Sequence, residues 1–213
     1  MKDIIEAQYD VTKKSRIKRF YESNKIIIFS AIFFILISII SVGFYFNYKE
    51  KKNFLLSEKY VQARIYIEKG KKNEATDLLK ELIFSNNTTY SSLSLFIIID
   101  QKLITNNEEL SKLFDYLLDN NKFKKEIKNM LIYKRALLRS EFITESELIE
   151  EVQPLLNNNS IWKSHTLLLL GDYFASKGEY FKAKQFYMEI LSIKDVQKDL
   201  FELVKSKLTF ISQ

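Results

Sequence analysis

Glycine and proline are scarce in this sequence, which has 4 glycines and 1 proline among its 213 residues. Average usage would give roughly 15 glycines and 10 prolines in a chain of this length. Hairpins and tight connections between strands depend on these residues. Their scarcity therefore disfavours a β-sandwich, a β-barrel and a glycine-rich phosphate-binding loop, and it predicts an all-α fold.

Cysteine is absent, and histidine occurs once, as His165. Without thiols the chain cannot form disulfides, thiolate zinc sites or iron–sulfur clusters, and it has no cysteine nucleophile. One imidazole cannot make a histidine-rich metal site, and a packed or surface histidine is far commoner than a catalytic one. We therefore expect no metal, no cofactor and no catalytic residue.

The motifs of common enzyme classes are also missing. The sequence has no GxxxxGK[ST], no GxSxG and no HExxH. The acidic pairs Glu108-Glu109 and Glu150-Glu151 are adjacent, so on a helix their members point in different directions and are expected on solvated faces, not as acid–base pairs. Beyond residue 49 no basic stripe with interleaved aromatics is present, which disfavours a nucleic-acid partner. We predict no enzyme, no nucleic-acid partner and no small-molecule substrate.

The longest uncharged run lies near the N-terminus, where residues 26–46 read IIIFSAIFFILISIISVGFYF. As a helix this run would extend about 31 Å, which matches the hydrocarbon core of a bilayer. Tyr45 and Tyr48 suit one membrane interface, and Tyr21 suits the other. A cleaved signal peptide is the alternative, but the long preceding segment and the length of the run favour an uncleaved signal anchor. We predict a single transmembrane helix over residues 26–48.

The orientation of this helix follows from the charges that flank it. The first membrane segment of a chain with a short basic tail usually keeps that tail in the cytoplasm. We therefore place residues 1–25 in the cytoplasm as a basic tail, and residues 49–213 in the periplasm of a Gram-negative bacterium. The net charge of +6 then divides into +3 for residues 1–25 (7 basic, 4 acidic), zero for residues 26–48 and +3 for residues 49–213 (26 basic, 23 acidic).

Beyond residue 49 the apolar residues recur with helical spacing, and short polar clusters interrupt them. Asn73 is expected to cap one of the resulting helices, and Thr144 with Glu147 is expected to form a capping box. We predict an array of helix pairs that ends with a last helix over residues 195–210. The interruptions are Gly70, residues 85–88, Asn106, Asn120, residues 157–159 and Gly178.

An internal repeat with a step of about 35 residues organises this array. In the clearest copy, LLLLGDYFASKGEYFKAKQFYMEIL, the small residues Gly171 and Ala183 are expected where two helices approach closely. Phe174 and Tyr187 would fill the space between those helices, and Gly178 would permit the chain to reverse. These spacings resemble the tetratricopeptide repeat (TPR), which implies a TPR-like α-solenoid of about four helix pairs with a C-terminal capping helix. The alternative is a helical array whose spacing matches by chance.

The layout of the chain and its final stretch resemble a bacterial family, the ancillary subunits of the SecYEG translocon. The stretch includes Ile161-Trp162-Lys163-Ser164-His165, Gly171-Asp172-Tyr173 and Gly178-Glu179-Tyr180. Members have a short cytoplasmic tail, one membrane span and a degenerate periplasmic TPR domain, which is also related to that of a cell-division coordinator. The resemblance implies an inner-membrane protein that lies beside the translocon and passes emerging chains to periplasmic chaperones.

The binding residues are predicted by analogy with TPR geometry. Stacked helix pairs curve, and the first helix of each pair lines the concave face. The predicted groove-facing residues are Tyr60, Arg64 and Ile67 in the first pair, Leu95, Ile99 and Lys102 in the second, and His165, Leu168 and Asp172 in the last.

Two binding functions therefore remain open. The first is a membrane-anchored periplasmic scaffold that is accessory to the Sec translocon and links it to periplasmic chaperones. The second is a TPR scaffold for another envelope machine, in cell division or cell-wall synthesis. A membrane-tethered enzyme is the least favoured reading.

Overall fold

The computed structural model describes residues 16–156 and 160–211, and in these residues the chain forms nine α-helices and no strand. The predicted all-α fold is therefore confirmed. The predictions for residues 1–15 of the N-terminal tail and for the loop at residues 157–159 lie outside the described residues. The helices are α1 (Arg16–Glu68), α2 (Lys72–Ile83), α3 (Thr88–Asp100), α4 (Asn107–Asn120), α5 (Lys125–Arg139), α6 (Glu145–Leu156), α7 (Lys163–Ser176), α8 (Tyr180–Ser192) and α9 (Lys198–Ile211).

Helix α1 is one long apolar helix of 53 residues. Its most apolar stretch has a mean hydropathy of 2.9 and none of that stretch is buried. Among the described residues, α1 alone is long and apolar enough that it could cross a membrane. The chain divides into two compact units, with the boundary between Leu55 and Leu56, inside α1. The helical segment predicted beyond residue 49 is thus a continuation of the apolar one, since both belong to α1.

The second unit contains the C-terminal part of α1 and helices α2–α9, and each helix from α2 onward packs against the next. Its apolar side chains form two clusters that adjoin at α5, where Leu131 belongs to one and Ile132 to the other. The buried side chains of the first cluster run from Leu56 of α1 to Leu131 of α5, and those of the second run from Ile132 of α5 to Val204 of α9. Burial of these two clusters supplies the main driving force for folding of this unit.

Helices that are two apart along the chain also contact one another. Among the odd-numbered helices, the ring of Tyr60 in α1 lies 6.0 Å from that of Tyr90 in α3, and the ammonium of Lys134 in α5 lies 5.4 Å from the centre of the Phe96 ring in α3. The ring of Tyr133 in α5 in turn lies 6.1 Å from that of His165 in α7. Side chains of α1, α3, α5 and α7 therefore follow one another along the second unit.

The even-numbered helices also contact one another, through ion pairs. Lys80 of α2 lies 2.6 Å from Glu109 of α4, and Lys182 of α8 lies 3.0 Å from Glu145 of α6. All four side chains are partly exposed, so solvent screens these ion pairs and they stabilise the fold little. They show that even-numbered helices lie next to one another.

Several helix ends follow the sequence prediction. Thr144 and Glu147 form the predicted capping box, in which the Thr144 backbone N–H donates to the Glu147 carboxylate at 2.8 Å and the Glu147 N–H donates to the Thr144 hydroxyl at 3.3 Å. Gly70 and Gly178 have φ angles of 72° and 76°, as the two predicted chain reversals require. The prediction for Asn73 is wrong, because α2 begins one residue earlier, at Lys72, and Lys71 occupies the capping position.

The close approach of α7 and α8 depends on Gly171. A β-carbon at this position would overlap the ring of Tyr187, which is itself buried between the two helices. Ala183 and Phe174 are also fully or almost fully buried. The small and large positions predicted for this copy of the repeat therefore lie in the helix contact as expected.

One acidic side chain departs from the prediction. Glu150 is exposed, but the side chain of its neighbour Glu151 is only 6% exposed and binds two arginines. The Arg135 Nε lies 2.6 Å and the Arg139 Nη1 lies 3.3 Å from its carboxylate oxygens, and Arg135 also reaches Asp115 of α4 at 2.7 Å. Glu151 therefore belongs to a structural ion-pair network that joins α4, α5 and α6, not to a solvated face.

We expect Gly171→Ala to lower the free energy of unfolding of the second unit by about 1–3 kcal/mol, because the added methyl group overpacks the contact with Tyr187. Helix propensity alone would favour alanine by up to about 1 kcal/mol, so a loss isolates the steric effect. Urea unfolding of the full chain in detergent, followed by the fluorescence of its single tryptophan, Trp162, measures this. Gly43→Ala is the matched control, since nothing lies within 4 Å of that position. Equal stability of the two variants would contradict the packing account.

Candidate protein-binding face

Three open hollows lie along the odd-numbered helices, and together they define what we call the odd-helix face. The first hollow, between α1 and α3, has a volume of about 390 Å³. The central hollow, between α3 and α5, has a volume of about 700 Å³, and the third, between α5 and α7, about 410 Å³. Asp100 lines both the first and the central hollow, and Glu141 lines both the central and the third. The hollows therefore adjoin one another in the order of the helices.

The first hollow contains all three residues predicted from the first helix pair. Tyr60, Arg64 and Ile67 line it from α1, opposite Ile97 and Asp100 of α3. Arg64 is exposed, whereas Tyr60 and Ile67 are half-buried and also touch the first apolar cluster. The structure thus brings these three side chains together, and they present an apolar floor with one cation.

The second helix pair fits its prediction only in part. Ile99 lines the central hollow. Leu95 is fully buried in the first apolar cluster, so the prediction that it lines the groove is corrected: its position on α3 faces the core. Lys102 is exposed but lies two residues beyond the end of α3, in a turn where its φ angle is 48°. It therefore belongs to the connection after the helix, not to the helix face.

The last predicted trio lies on α7, and two of its members line the third hollow. Leu168 and Asp172 are in that lining, together with Tyr133 of α5. His165 is half-buried one turn earlier, where its ring lies 6.1 Å from that of Tyr133 and 5.7 Å from that of Trp162. The imidazole therefore packs among aromatic rings and does not line any of the three hollows.

Two buried nitrogens in this aromatic cluster lack a hydrogen bond. The Nδ1 of His165 and the indole Nε1 of Trp162 are both buried without a hydrogen-bond partner within residues 16–156 and 160–211. The same residues contain no cluster of three or more histidine, cysteine, aspartate or glutamate side chains that could hold a metal ion.

At the C-terminal end of the odd-helix face, α7 contacts both α8 and α9 through Asp172. Asp172 accepts a hydrogen bond from the Tyr187 hydroxyl at 2.5 Å and lies 2.8 Å from the Lys207 ammonium of α9. Burial raises the pKa of Tyr187 well above its usual range, and the hydrogen bond and negative charge of Asp172 raise it further. Asp172 therefore joins α7, α8 and α9 through these contacts. The part of its side chain that stays exposed borders the third hollow.

Sequence reasoning missed most of the central hollow. Phe96, Met130 and Leu137 line it, with Lys134 and Glu141 at its polar edge. The two middle copies of the repeat match the TPR spacing poorly. The analogy that predicted Ile99 in α3 therefore gave no groove-facing residue in α5. The available signal was the run of apolar residues in α5 that exceeds what its buried positions require.

No protein-family model matches this chain, and no curated protein matches it.

We expect Tyr187→Phe to destabilise the second unit by about 1.5–3 kcal/mol at neutral pH, because it removes a hydrogen bond to a charged group. The folded-state pKa of Tyr187 is raised, so the stability that this hydroxyl contributes is present below its unfolded pKa of about 10 and is lost as pH rises towards the folded value. The difference between the parent chain and the variant should therefore shrink above about pH 10.

Urea unfolding at pH 7, 9 and 10.5 tests this, with Tyr180→Phe as the control because Tyr180 is an exposed tyrosine at the start of the same helix. A difference for Tyr187→Phe that stays constant across this range would contradict the raised pKa of Tyr187 in the folded chain.

Proposed function

We propose that this chain is a membrane-anchored scaffold that binds protein segments on the odd-helix face. The observation that carries the proposal is the row of three adjoining hollows along α1, α3, α5 and α7, each bordered by charged side chains. Open concave sites lined by apolar side chains with a few polar groups are typical of binding surfaces.

The proposed fold of the second unit is a TPR-like α-solenoid with α9 as its capping helix. The contacts between helices two apart support it, because in a solenoid each helix meets its counterparts in neighbouring repeats. The close contact between α7 and α8 at Gly171 supports it as well, because the repeat spacing predicted that this small residue lies where two helices approach closely. The four pairs would be the C-terminal part of α1 with α2, α3 with α4, α5 with α6, and α7 with α8.

The proposed anchor is the transmembrane helix at residues 26–48, with residues 1–25 in the cytoplasm and the second unit in the periplasm. Support comes from the mean hydropathy of 2.9 in α1 and from its exposed apolar side chains, such as Phe33, Ile37 and Phe44. An exposed apolar surface of this length suits lipid better than water. The basic residues before residue 26 favour the stated orientation.

The proposed setting is the Sec translocon of the bacterial inner membrane, where the chain would link the translocon to periplasmic chaperones. The resemblance of the layout and of residues 161–180 to the ancillary translocon subunits is the support for this setting. The alternative setting is another envelope machine, in cell division or cell-wall synthesis, which the same fold and anchor would suit.

Site-specific photocrosslinking in living cells distinguishes these settings. We expect photoreactive residues at Arg64, Ile99 and Leu168, on the odd-helix face, to capture translocon subunits or periplasmic chaperones. Matched positions at Gln153 of α6 and Lys184 of α8, which are exposed on even-numbered helices, should capture them far less. Capture of division or cell-wall proteins alone would contradict the translocon setting. Equal capture from both sets of positions would contradict the odd-helix face as the binding surface.

A further inference from the structure

The central hollow is the largest of the three hollows on the odd-helix face, and its lining is mostly apolar. Phe96 and Ile99 of α3 face Met130 and Leu137 of α5 across a volume of about 700 Å³. Methionine is flexible and adapts to side chains of different shape. Leu137 is 48% exposed, although leucine is among the residues most often buried. The hollow is therefore large enough and apolar enough to hold a leucine, phenylalanine or similar side chain from a partner.

Two carboxylates stand at the edges of this hollow without a cationic partner. Asp100 lies where the central hollow meets the first, and Glu141 lies where it meets the third. Both residues are exposed, and no described lysine or arginine forms an ion pair with either. Asp100 accepts a hydrogen bond from Gln101 at 2.6 Å, and Glu141 accepts one from Asn107 at 3.3 Å, and both donors are neutral.

The lysines that line the central and third hollows contact aromatic rings. Lys134 of the central hollow has its ammonium 5.4 Å from the centre of the Phe96 ring, in cation–π geometry. Lys177 of the third hollow likewise lies 5.5 Å from the centre of the Tyr173 ring. Arg64 lines the first hollow but forms no ion pair with either carboxylate. Both carboxylates can therefore still pair with a positive charge on a ligand.

We propose that the central hollow takes a bulky apolar side chain from an extended segment of a partner protein, and that Asp100 and Glu141 select segments with lysine or arginine beside that side chain. This inference rests on the proposed function and names the class of segment that the odd-helix face binds. Charge complementarity of this kind favours the correct partner and disfavours acidic ones.

The spacing of the hollows suits an extended segment. Packed helices lie about 8–10 Å apart, and an extended chain advances about 3.3 Å per residue. A segment that crosses from α3 to α5 therefore advances about two or three residues in all, so a carboxylate lies within about one or two residues on either side of its apolar anchor. An anionic lipid fits the hollow less well, because its acyl chain would enter while its phosphate met the two carboxylates.

Fluorescence polarisation with synthetic peptides tests the proposal on the full chain in a neutral detergent. The probe is an unstructured Gly/Ser peptide with one phenylalanine and a lysine two residues away on each side. We expect replacement of the phenylalanine by alanine, or of both lysines by glutamate, to weaken binding about tenfold each, since such contacts are typical of interface anchors and charge selection. Equal binding of all three peptides would overturn the proposal.

A charge reversal on the chain provides the matched test. Asp100→Lys combined with Glu141→Lys should reverse the preference, so that the glutamate-flanked peptide binds better than the lysine-flanked one. Both side chains are exposed, so the substitutions leave the core intact. Glu150→Lys, on the exposed side of α6, is the control and should leave the preference unchanged. An unchanged preference in the double variant would overturn the proposal.

Other occupants of the hollow give different outcomes, and each would count against the proposal. Displacement of the peptide by a short-chain anionic phospholipid that binds more tightly would indicate a lipid site. Self-association of the chain that is abolished by the double variant would indicate a second copy. Failure of the peptides to discriminate, with photocrosslinks retained at Ile99, would leave the proposed function standing and remove this inference. Loss of those crosslinks, with discrimination between the peptides intact, would remove the proposed function in cells and leave the selectivity of the central hollow standing.

Discussion

The contact between α7 and α8 is the constraint on which the C-terminal half of the second unit depends. Gly171 lets the ring of Tyr187 lie directly against the backbone of α7, and the hydroxyl of that ring reaches Asp172 on the next residue of the same helix. Lys207 then brings α9 to the same carboxylate. Because Gly171 has no side chain, α7, α8 and α9 can form a packed and hydrogen-bonded junction. Through this junction α9 packs at the end of the array.

The odd-helix face follows from how the apolar side chains are divided between core and surface. Leu95 and Ile98 of α3 turn into the first cluster, whereas Ile99 on the same helix turns outward into the central hollow. The even-numbered helices instead connect through ion pairs such as Lys80 with Glu109. One side of the second unit is therefore open and apolar with a few charges, as the proposed binding of protein segments requires.

Local patterns in the sequence predicted much of the fold. The long apolar run, the capping box at Thr144 and the small residue at Gly171 each depend on neighbours within one or two turns, so their signals survive without knowledge of the packing. Asn73 misled because asparagine caps helices well, yet the chain reversal at Gly70 already starts α2 at Lys72. Capping preference is a weaker constraint than the position of the preceding turn.

The site was harder to predict, because it depends on which side of each helix the core occupies. Leu95 was assigned to the groove by repeat analogy, but the middle copies are degenerate and the helix is rotated so that Leu95 is buried. Glu151 was expected on a solvated face because adjacent acidic residues point in different directions on a helix, yet Arg135 and Arg139 from α5 bind its carboxylate. Both errors concern long-range packing, which spacing along one helix does not encode.

The claim that the odd-helix face is open to the periplasm can be measured directly, because the chain contains no cysteine and an introduced thiol has no background. Ile99→Cys and Leu95→Cys differ by one turn of α3, and only the first side chain lines the hollow. In cells with a permeabilised outer membrane, a membrane-impermeant maleimide should label Ile99→Cys, and should label Leu95→Cys only after denaturation. Labelling of Ile99→Cys only after the inner membrane is broken would contradict the account.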